Sequence, residues 1–136
     1  EKELRMSKHD IKEEYKQMEG DPQIKSKIKQ KQREIAMSRM MQDVPKADVI
    51  ITNPTHYAVA LAYKEDYGAP IILAKGMDLV AQRIKAIAKE NGVEIVENKP
   101  LARKLHSMLN IGDFVPEELY HAVAEVLAYV YSLKDN

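Results

Sequence analysis

The residue types that could do chemistry in this chain lie together in the segment Asn53-Pro54-Thr55-His56. An asparagine commonly reacts when the backbone nitrogen of the next residue attacks its side-chain amide. Proline has no N–H, so Pro54 blocks that reaction. The reverse attack stays open: the side-chain nitrogen of Asn53 can attack the backbone carbonyl of the same residue. This reaction forms a succinimide at Asn53, releases Pro54 as a new N-terminus and breaks the chain.

Each residue of this segment has its own expected role. Asn53 supplies both the nucleophilic nitrogen and the attacked carbonyl, and Pro54 is the leaving group. Because an amide nitrogen is a weak nucleophile, geometry must supply much of the acceleration. The hydroxyl of Thr55 is expected to position the segment through hydrogen bonds. Histidine titrates near neutral pH, so His56 is a candidate to relay a proton to the departing nitrogen or to polarise the turn.

An Asn-Pro pair is also an ordinary turn signal, and a histidine exposed in a turn is common. The flanking residues give this pair more weight. Residues 48–52 form a short apolar run typical of a buried strand, and residues 57–63 alternate large side chains with alanine. The segment is therefore predicted to connect two strands. A turn held at both ends can keep Asn53 in a strained or near-attack geometry.

The rest of the chain predicts an α/β fold with a small four-stranded, mostly mixed sheet covered by helices. A third and a fourth strand are predicted at residues 70–74 and 93–97. Between them, apolar residues recur at helical spacing from Met77 to Ala88. Two more helices are predicted to start at Pro100 and Pro116. The first is expected to carry Leu101, Leu105 and Met108 on one side. The buried stripe predicted for the last helix consists of Leu119, Val123, Val126, Leu127 and Val130.

Two regions follow from composition. Residues 1–45 are charged and carry few apolar side chains, which predicts a long solvated linker helix that is interrupted or bent near Pro22. Residues 46–136 have the composition of a compact globular unit. The chain has 136 residues, of which 45% are hydrophobic, as expected for one modest domain. No run is long enough for a membrane helix and no signal peptide is visible. The first residue is Glu1 rather than Met, which we interpret as an excerpt of a longer protein.

Several kinds of chemistry have no support in the sequence. The chain has no cysteine, which excludes disulfides and thiol catalysis. His9, His106 and His121 lack the spacing of metal ligands and are interpreted as structural histidines. Ala74-Lys75-Gly76 lacks the remainder of a phosphate-binding loop, and no serine lies in a nucleophile motif. We therefore expect no cofactor, no metal and no enzyme that acts on other molecules.

A basic segment from Lys25 to Arg39 carries six basic residues and one acidic residue. Nucleic-acid binding is one interpretation, but no aromatic residue is interleaved and no binding motif is present. A solvated helix face is a second interpretation. A third interpretation is a linker whose basic residues lie near anionic lipid. A linker role is favoured over lipid contact, and both are favoured over nucleic acid.

Asp48-Val-Ile-Ile-Thr-Asn-Pro-Thr-His-Tyr57 resembles the self-cleavage segment of the FlhB family of flagellar type III export switch proteins. The injectisome members of that family share the Asn-Pro-Thr-His core. The resemblance continues in the same order along nearly the whole chain, and its last match looks more like the flagellar branch. The other matching segments are Gln17-Met-Glu-Gly-Asp-Pro22, Met40-Met-Gln-Asp-Val-Pro-Lys-Ala-Asp48, Pro100-Leu-Ala-Arg103 and Val123-Ala-Glu-Val-Leu-Ala-Tyr-Val130.

The resemblance implies a cytoplasmic domain at the inner face of the bacterial inner membrane, with an N-terminal membrane domain outside this sequence. It implies one autocatalytic cut between Asn53 and Pro54, after which the fragments stay together as one folded unit. The cut would switch export from rod and hook substrates to filament substrates. The implied partners are export-apparatus proteins, a hook-length control protein and export substrates, with no nucleic acid.

A partner surface is predicted where small apolar residues replace large ones. Ala69 and Pro70, together with Ala124 and Leu127 on the last helix, are expected to leave a shallow apolar dent for an incoming peptide. The main alternative is an uncleaved scaffold that docks proteins through the same surface, with Asn53-Pro54 as a plain turn. A basic-helix nucleic-acid binder is a third hypothesis.

Overall fold

The computed structural model describes residues 20–134. Helix α1 (Pro22–Asp43) begins at the proline that was predicted to interrupt the N-terminal helix. The carboxylate of Asp21 accepts a hydrogen bond from the N–H of Gln23 (2.9 Å), so a side chain satisfies one of the free donors at the helix start. Residues 1–19 of the predicted linker lie outside the described residues.

The described chain forms two compact units, residues 20–38 and the residues from Arg39 onward. In the first unit Ile28 and Ile35 are exposed, as expected for a helix whose apolar stripe is sparse. The last turn of α1 belongs to the second unit, and Met40 and Met41 in this turn are buried. A single 3₁₀ turn follows α1 at Val44–Lys46.

The second unit contains the predicted four-stranded mixed sheet. Its order is β3-β2-β1-β4, in which β1, β2 and β3 are antiparallel neighbours and β4 runs parallel to β1. Strand β1 is therefore central and is hydrogen-bonded on both sides. The strands are β1 (Val49–Asn53), β2 (Tyr57–Ala62), β3 (Ile71–Met77) and β4 (Glu94–Glu97).

Helices cover both faces of this sheet. Helix α2 (Leu79–Glu90) connects β3 to β4 and packs on one face, while α3 (Lys99–Met108) and α4 (Glu117–Lys134) pack on the other. The predicted buried stripe of α4 is confirmed; it consists of Leu119, Val123, Val126, Leu127 and Val130. Within residues 20–134, no helix combines the length and the apolar character that a membrane crossing requires.

The alternation of large and small residues in β2 serves these two faces. Val59 and Leu61 belong to the large core beneath α3 and α4. Ala58 and Ala60 are buried on the opposite face, where α2 lies close to the sheet. The close approach of α2 to β3 is evident at Gly76, because a Cβ atom there would lie 2.8 Å from the Cβ of Val80.

Two local predictions were wrong. The helix predicted from Met77 starts at Leu79, because Met77 pairs with Tyr57 and extends β3 well beyond the predicted residues 70–74. Met108 was predicted on the buried side of α3 but is 49% exposed. Leu109 is buried in its place, since the chain becomes extended there and carries that side chain into the core.

Candidate functional site

The segment Asn53–His56 forms a tight turn between β1 and β2, called the Asn-Pro turn below. Asn53 ends β1 and pairs with Tyr57, the first residue of β2. The N–H of His56 donates to the carbonyl oxygen of Asn53 across 3.0 Å and closes the turn. The predicted connection between two anchored strands is therefore present.

The backbone of the Asn-Pro turn is strained at its third residue. Thr55 has a φ of 71°, in the left-handed region that residues other than glycine and asparagine seldom adopt. Proline at the second position and positive φ at the third are the features of a type II turn, which ordinarily carries glycine at that third position. Such strain costs about 1–3 kcal/mol and persists only when the surrounding structure imposes it.

The side chains of Thr55 and His56 contact each other within the turn. The Nδ1 atom of His56 lies 3.1 Å from the Oγ1 atom of Thr55 and 3.3 Å from the carbonyl oxygen of Pro54. An unprotonated Nδ1 can accept a hydrogen bond from the Thr55 hydroxyl, and a protonated Nδ1 can donate one to the Pro54 oxygen. Both side chains are exposed, so this network lies at the surface.

Thr52 anchors the turn from the inside. Its hydroxyl donates to the carbonyl oxygen of Tyr57 across 2.6 Å, while its own carbonyl oxygen accepts the N–H of Asn98. Thr52 is buried among otherwise apolar strand residues. A buried hydroxyl of this kind is stable only when hydrogen-bonded, so Thr52 fixes the end of β1 to the start of β2.

A second support comes from α3 and β3. The ring of His106 lies 4.7 Å from the ring of Tyr57, measured between centroids, and the Nζ atom of Lys75 donates to the His106 carbonyl oxygen (2.9 Å). Burial lowers the pKa of His106 below its ordinary value, and the positive charge of Lys75 lowers it further. The site therefore favours a neutral imidazole beside Tyr57.

Sequence reasoning found the turn but missed its supports. Thr52 was treated as the end of a strand and His106 as a structural histidine, and Asp78 was not considered. The N–H of Asp78 donates to the carbonyl oxygen of His56 (2.9 Å). No local sequence signal marks Asp78, since the pairing of β2 with β3 places it there. Within residues 20–134, no cluster of three or more histidine, cysteine or acidic residues has the arrangement of a metal site.

A groove of about 390 Å³ lies at the other end of β2. It brings together all four residues that were predicted to form the partner surface, and three tyrosines contribute to its walls. Ala69, Pro70 and Leu127 are buried at its base, whereas Ala124 is exposed. The lining residues are Tyr63, Gly68, Ala69, Pro70, Tyr120, Ala124, Leu127, Ala128 and Tyr131.

Asp48 contacts one of the tyrosines that line the groove. The carboxylate of Asp48 accepts the N–H of Tyr63 across 2.6 Å. Burial raises the pKa of Tyr131, and the charge of Asp48 and the neighbouring Tyr63 raise it further. The charge of Asp48 therefore acts on Tyr131, one of the residues that line the groove.

Comparison with known protein families identifies the class of proteins to which this fold and this turn belong. A model of the FlhB HrpN YscU SpaS family matches residues 1–130. The chain belongs to this family of type III export components.

Within the family, flagellar proteins are close relatives. The chain is 63% identical over 137 residues to the flagellar biosynthetic protein FlhB of Bacillus subtilis strain 168, covering 100% of this chain and 38% of that protein. It is 56% identical over 134 residues to FlhB of Salmonella typhimurium, covering 98% of this chain and 35% of that protein. The chain therefore spans little more than a third of the length of these relatives.

Solved structures agree with the fold. The cytoplasmic domain of FlhB from Shewanella putrefaciens superposes with a TM-score of 0.70 at 45% identity, covering 72% of this chain and 76% of that domain. A mutated EscU C-terminal domain superposes with a TM-score of 0.65 at 28% identity, covering 67% of this chain and 92% of that domain. The chain thus shares the fold of the FlhB and EscU domains over the 67–72% of its length that superposes.

Proposed function

We propose that this chain is the cytoplasmic part of a flagellar export switch protein and that it cuts its own backbone once, between Asn53 and Pro54. In this reaction the side-chain nitrogen of Asn53 bonds to its own backbone carbonyl carbon, and the carbon–nitrogen bond to Pro54 breaks. The attacking nitrogen loses a proton and the Pro54 nitrogen gains one. No other reactant is needed, so the reaction is a single intramolecular turnover rather than catalysis in trans.

The observation that carries this proposal is the hydrogen bond from the His56 N–H to the carbonyl oxygen of Asn53. That carbonyl is the one under attack, and its oxygen becomes negatively charged in the tetrahedral intermediate. A fixed backbone donor at 3.0 Å stabilises such an oxyanion without reorganising. The strained Thr55 backbone holds this donor in place, which supports a positioning role for that residue.

The imidazole of His56 has a supporting role in the proposal. It lies against the Thr55 hydroxyl and the Pro54 carbonyl, where it can exchange a proton during departure of the Pro54 nitrogen. Asn53 and Pro54 carry the bond changes, and the two following residues adjust the geometry and the proton transfer.

The fragments are expected to stay together after the cut. Fragment 1–53 contains β1, which pairs with β2 through five residue pairs and with β4 through four. The side chains of Val49, Ile50 and Ile51 on this strand are fully buried. Pulling β1 out would expose them, leave β4 without a partner strand and leave one edge of β2 unpaired, so separation requires denaturation.

We further propose that the groove receives apolar segments of export substrates and of export-apparatus proteins, including a hook-length control protein. Its apolar base and tyrosine walls favour a short apolar peptide. In the complete protein, this surface would lie at the cytoplasmic face of the inner membrane. Release of the turn would then change which substrates the export gate accepts. The groove would equally suit the alternative, an uncleaved docking scaffold.

A pulse-chase experiment tests the self-cleavage. Cell-free synthesis with a short radioactive pulse, followed by a chase and a denaturing gel, should show two fragments appearing as the full chain disappears. Gel filtration under native conditions should show both fragments in one peak. A full-length band that persists through the chase would favour the scaffold and contradict the switch.

A further inference from the structure

In the described part of the chain, the strained backbone positions lie at or next to one hydrogen bond, which joins the end of β3 to the Asn-Pro turn. Within residues 20–134, the residues other than glycine with positive φ are Thr55 (71°) and Asp78 (52°). The N–H of Asp78 donates to the carbonyl oxygen of His56, the residue after Thr55, across 2.9 Å. Two strained positions that lie far apart in sequence therefore meet at the Asn-Pro turn.

The strain at Asp78 has a tertiary cause. Met77 still pairs with Tyr57 at the end of β3, and α2 begins at Leu79. Asp78 must therefore change the direction of the chain within one residue, with φ 52° and ψ −117°. Its side chain makes no capping hydrogen bond to α2, while its carbonyl oxygen accepts the N–H of Gln82. Hydrogen bonds therefore fix the backbone of Asp78, whereas its side chain makes no cap to α2.

This backbone connects to the bond that is cut. Asp78 donates to the carbonyl oxygen of His56, and His56 donates its own N–H to the carbonyl oxygen of Asn53. Both backbone polar groups of His56 are fixed in this way. A shift at Asp78 would move the donor that polarises the attacked carbonyl.

We propose that Asp78 is a positioning residue for the self-cleavage and that it acts through its backbone rather than through its carboxylate. It holds the Asn-Pro turn in the left-handed shape that the attack of Asn53 requires. The proposal rests on the self-cleavage proposed above.

Substitutions at Asp78 separate the backbone from the side chain. The rate of fragment appearance should be measured by the pulse-chase experiment for Asp78→Gly, Asp78→Asn and Asp78→Val. Glycine adopts positive φ readily, asparagine keeps the shape of aspartate without its charge, and the β-branched valine resists positive φ. We expect Asp78→Val to cleave about tenfold more slowly than Asp78→Gly and Asp78→Asn. This factor corresponds to the energetic cost of holding a residue in a backbone conformation that it seldom adopts.

Gly92→Val is the matched control for general strain. Gly92 follows α2, has a φ of 71°, and has no other atom within 4 Å of a Cβ built there. This variant introduces similar backbone strain away from the Asn-Pro turn, so its cleavage rate should equal that of the unaltered chain. Hydrogen exchange of the His56 amide, measured in an Asn53→Ala background that keeps the turn intact, should be faster with Asp78→Val and unchanged with Gly92→Val.

The outcomes distinguish this inference from the function on which it rests. An unaltered chain that never cleaves overturns both. If the unaltered chain cleaves and Asp78→Val cleaves as fast as Gly92→Val, self-cleavage stands and the positioning role is wrong. If Asp78→Asn and Asp78→Gly are as slow as Asp78→Val, the carboxylate acts directly and the backbone mechanism is wrong.

Discussion

At one end of β2 the chain is strained, polar and tied by backbone hydrogen bonds, whereas at the other end it forms an apolar groove with open space. The Asn-Pro turn includes a left-handed Thr55 and a network of short polar contacts. The groove is lined by alanines, Pro70 and tyrosines. A reaction between atoms of one residue needs a single exact geometry, while docking of varied peptides needs only shape and apolar surface.

The proposed cut would pass through the Asn-Pro turn but not through the groove. All the lining residues of the groove belong to fragment 54–136, so breaking the bond before Pro54 leaves the groove within one covalent piece. The six residues of β2 span about 20 Å at the usual rise of a strand. An effect of cleavage on the groove could pass along β2, or through Asp48 of fragment 1–53, whose carboxylate accepts the N–H of Tyr63. Cleavage and docking should be separable by mutation.

The largest expected effect is at the Asn-Pro turn. Asn53→Ala removes the nucleophile and should abolish cleavage, while Pro54→Ala should slow it greatly, because it restores an N–H and with it the competing reaction. Peptide binding in the groove should be unchanged in the uncut protein if cleavage is needed only for switching. Asn110→Ala alters an exposed asparagine elsewhere and should cleave normally. Fragments from Asn53→Ala would contradict the assigned nucleophile.

The next effect is at the groove. Ala124→Glu places a charge on an exposed residue of the groove, which an apolar peptide would have to desolvate. We expect binding of export substrates to weaken by about tenfold, corresponding to about 1.4 kcal/mol, with the cleavage rate unchanged. Isothermal titration calorimetry measures the first and the pulse-chase experiment the second.

Ala86→Glu is the matched control for the groove. It adds the same charge to an exposed alanine of α2 that does not line the groove. Equal binding by Ala124→Glu and Ala86→Glu would show that the groove is not the docking surface. Slower cleavage in Ala124→Glu would show that the two regions are not separable.

A smaller effect is expected where β3 meets α2. Gly76→Ala would force the new methyl group against Val80, and overpacking of this kind costs about 1–3 kcal/mol. Urea denaturation should show that loss in the free energy of unfolding. Gly20→Ala, where a Cβ atom would meet nothing within 4 Å, should show no comparable loss. An unchanged stability for Gly76→Ala would mean that α2 is not held against the end of the sheet beside the turn.

The smallest effect is a pH dependence at His106. Its pKa is lowered in the folded state, so the unfolded chain takes up a proton at higher pH than the folded chain does. The stability associated with the neutral ring is therefore fully present above about pH 6.5, the unfolded value, and is lost as the pH falls below it. Thermal unfolding between pH 7.5 and about 5.5 should show this loss.

His106→Gln should flatten that pH dependence, because the titrating group beside Tyr57 is gone. His121→Gln is the control, since His121 lies exposed on α4 and pairs with Glu125 at 2.9 Å. If both variants keep the full acid sensitivity, the contact between His106 and Tyr57 does not support the turn in the way proposed.

The sequence allowed the turn and the groove to be predicted for different reasons. Asn53-Pro54 between two apolar runs is a local signal, because proline and strand patterns act within a few residues. Ala69 and Ala124 were found because small residues stand where larger ones would fill a surface. The left-handed backbone of Asp78 and the contact of His106 with Tyr57 had no such signal. They arise from the pairing of β2 with β3 and from the packing of α3, which bring together residues far apart in the chain.

The central claim is that the chain breaks its own backbone between Asn53 and Pro54, and intact-mass spectrometry in denaturant tests it most directly. Freshly synthesised protein, incubated without any protease, should give two species corresponding to residues 1–53 and 54–136. At the earliest times their masses should sum to the mass of the full chain with no added water, because cyclisation consumes none. A single full-length mass after long incubation, or fragments that carry an added water from the first time point, would contradict the claim.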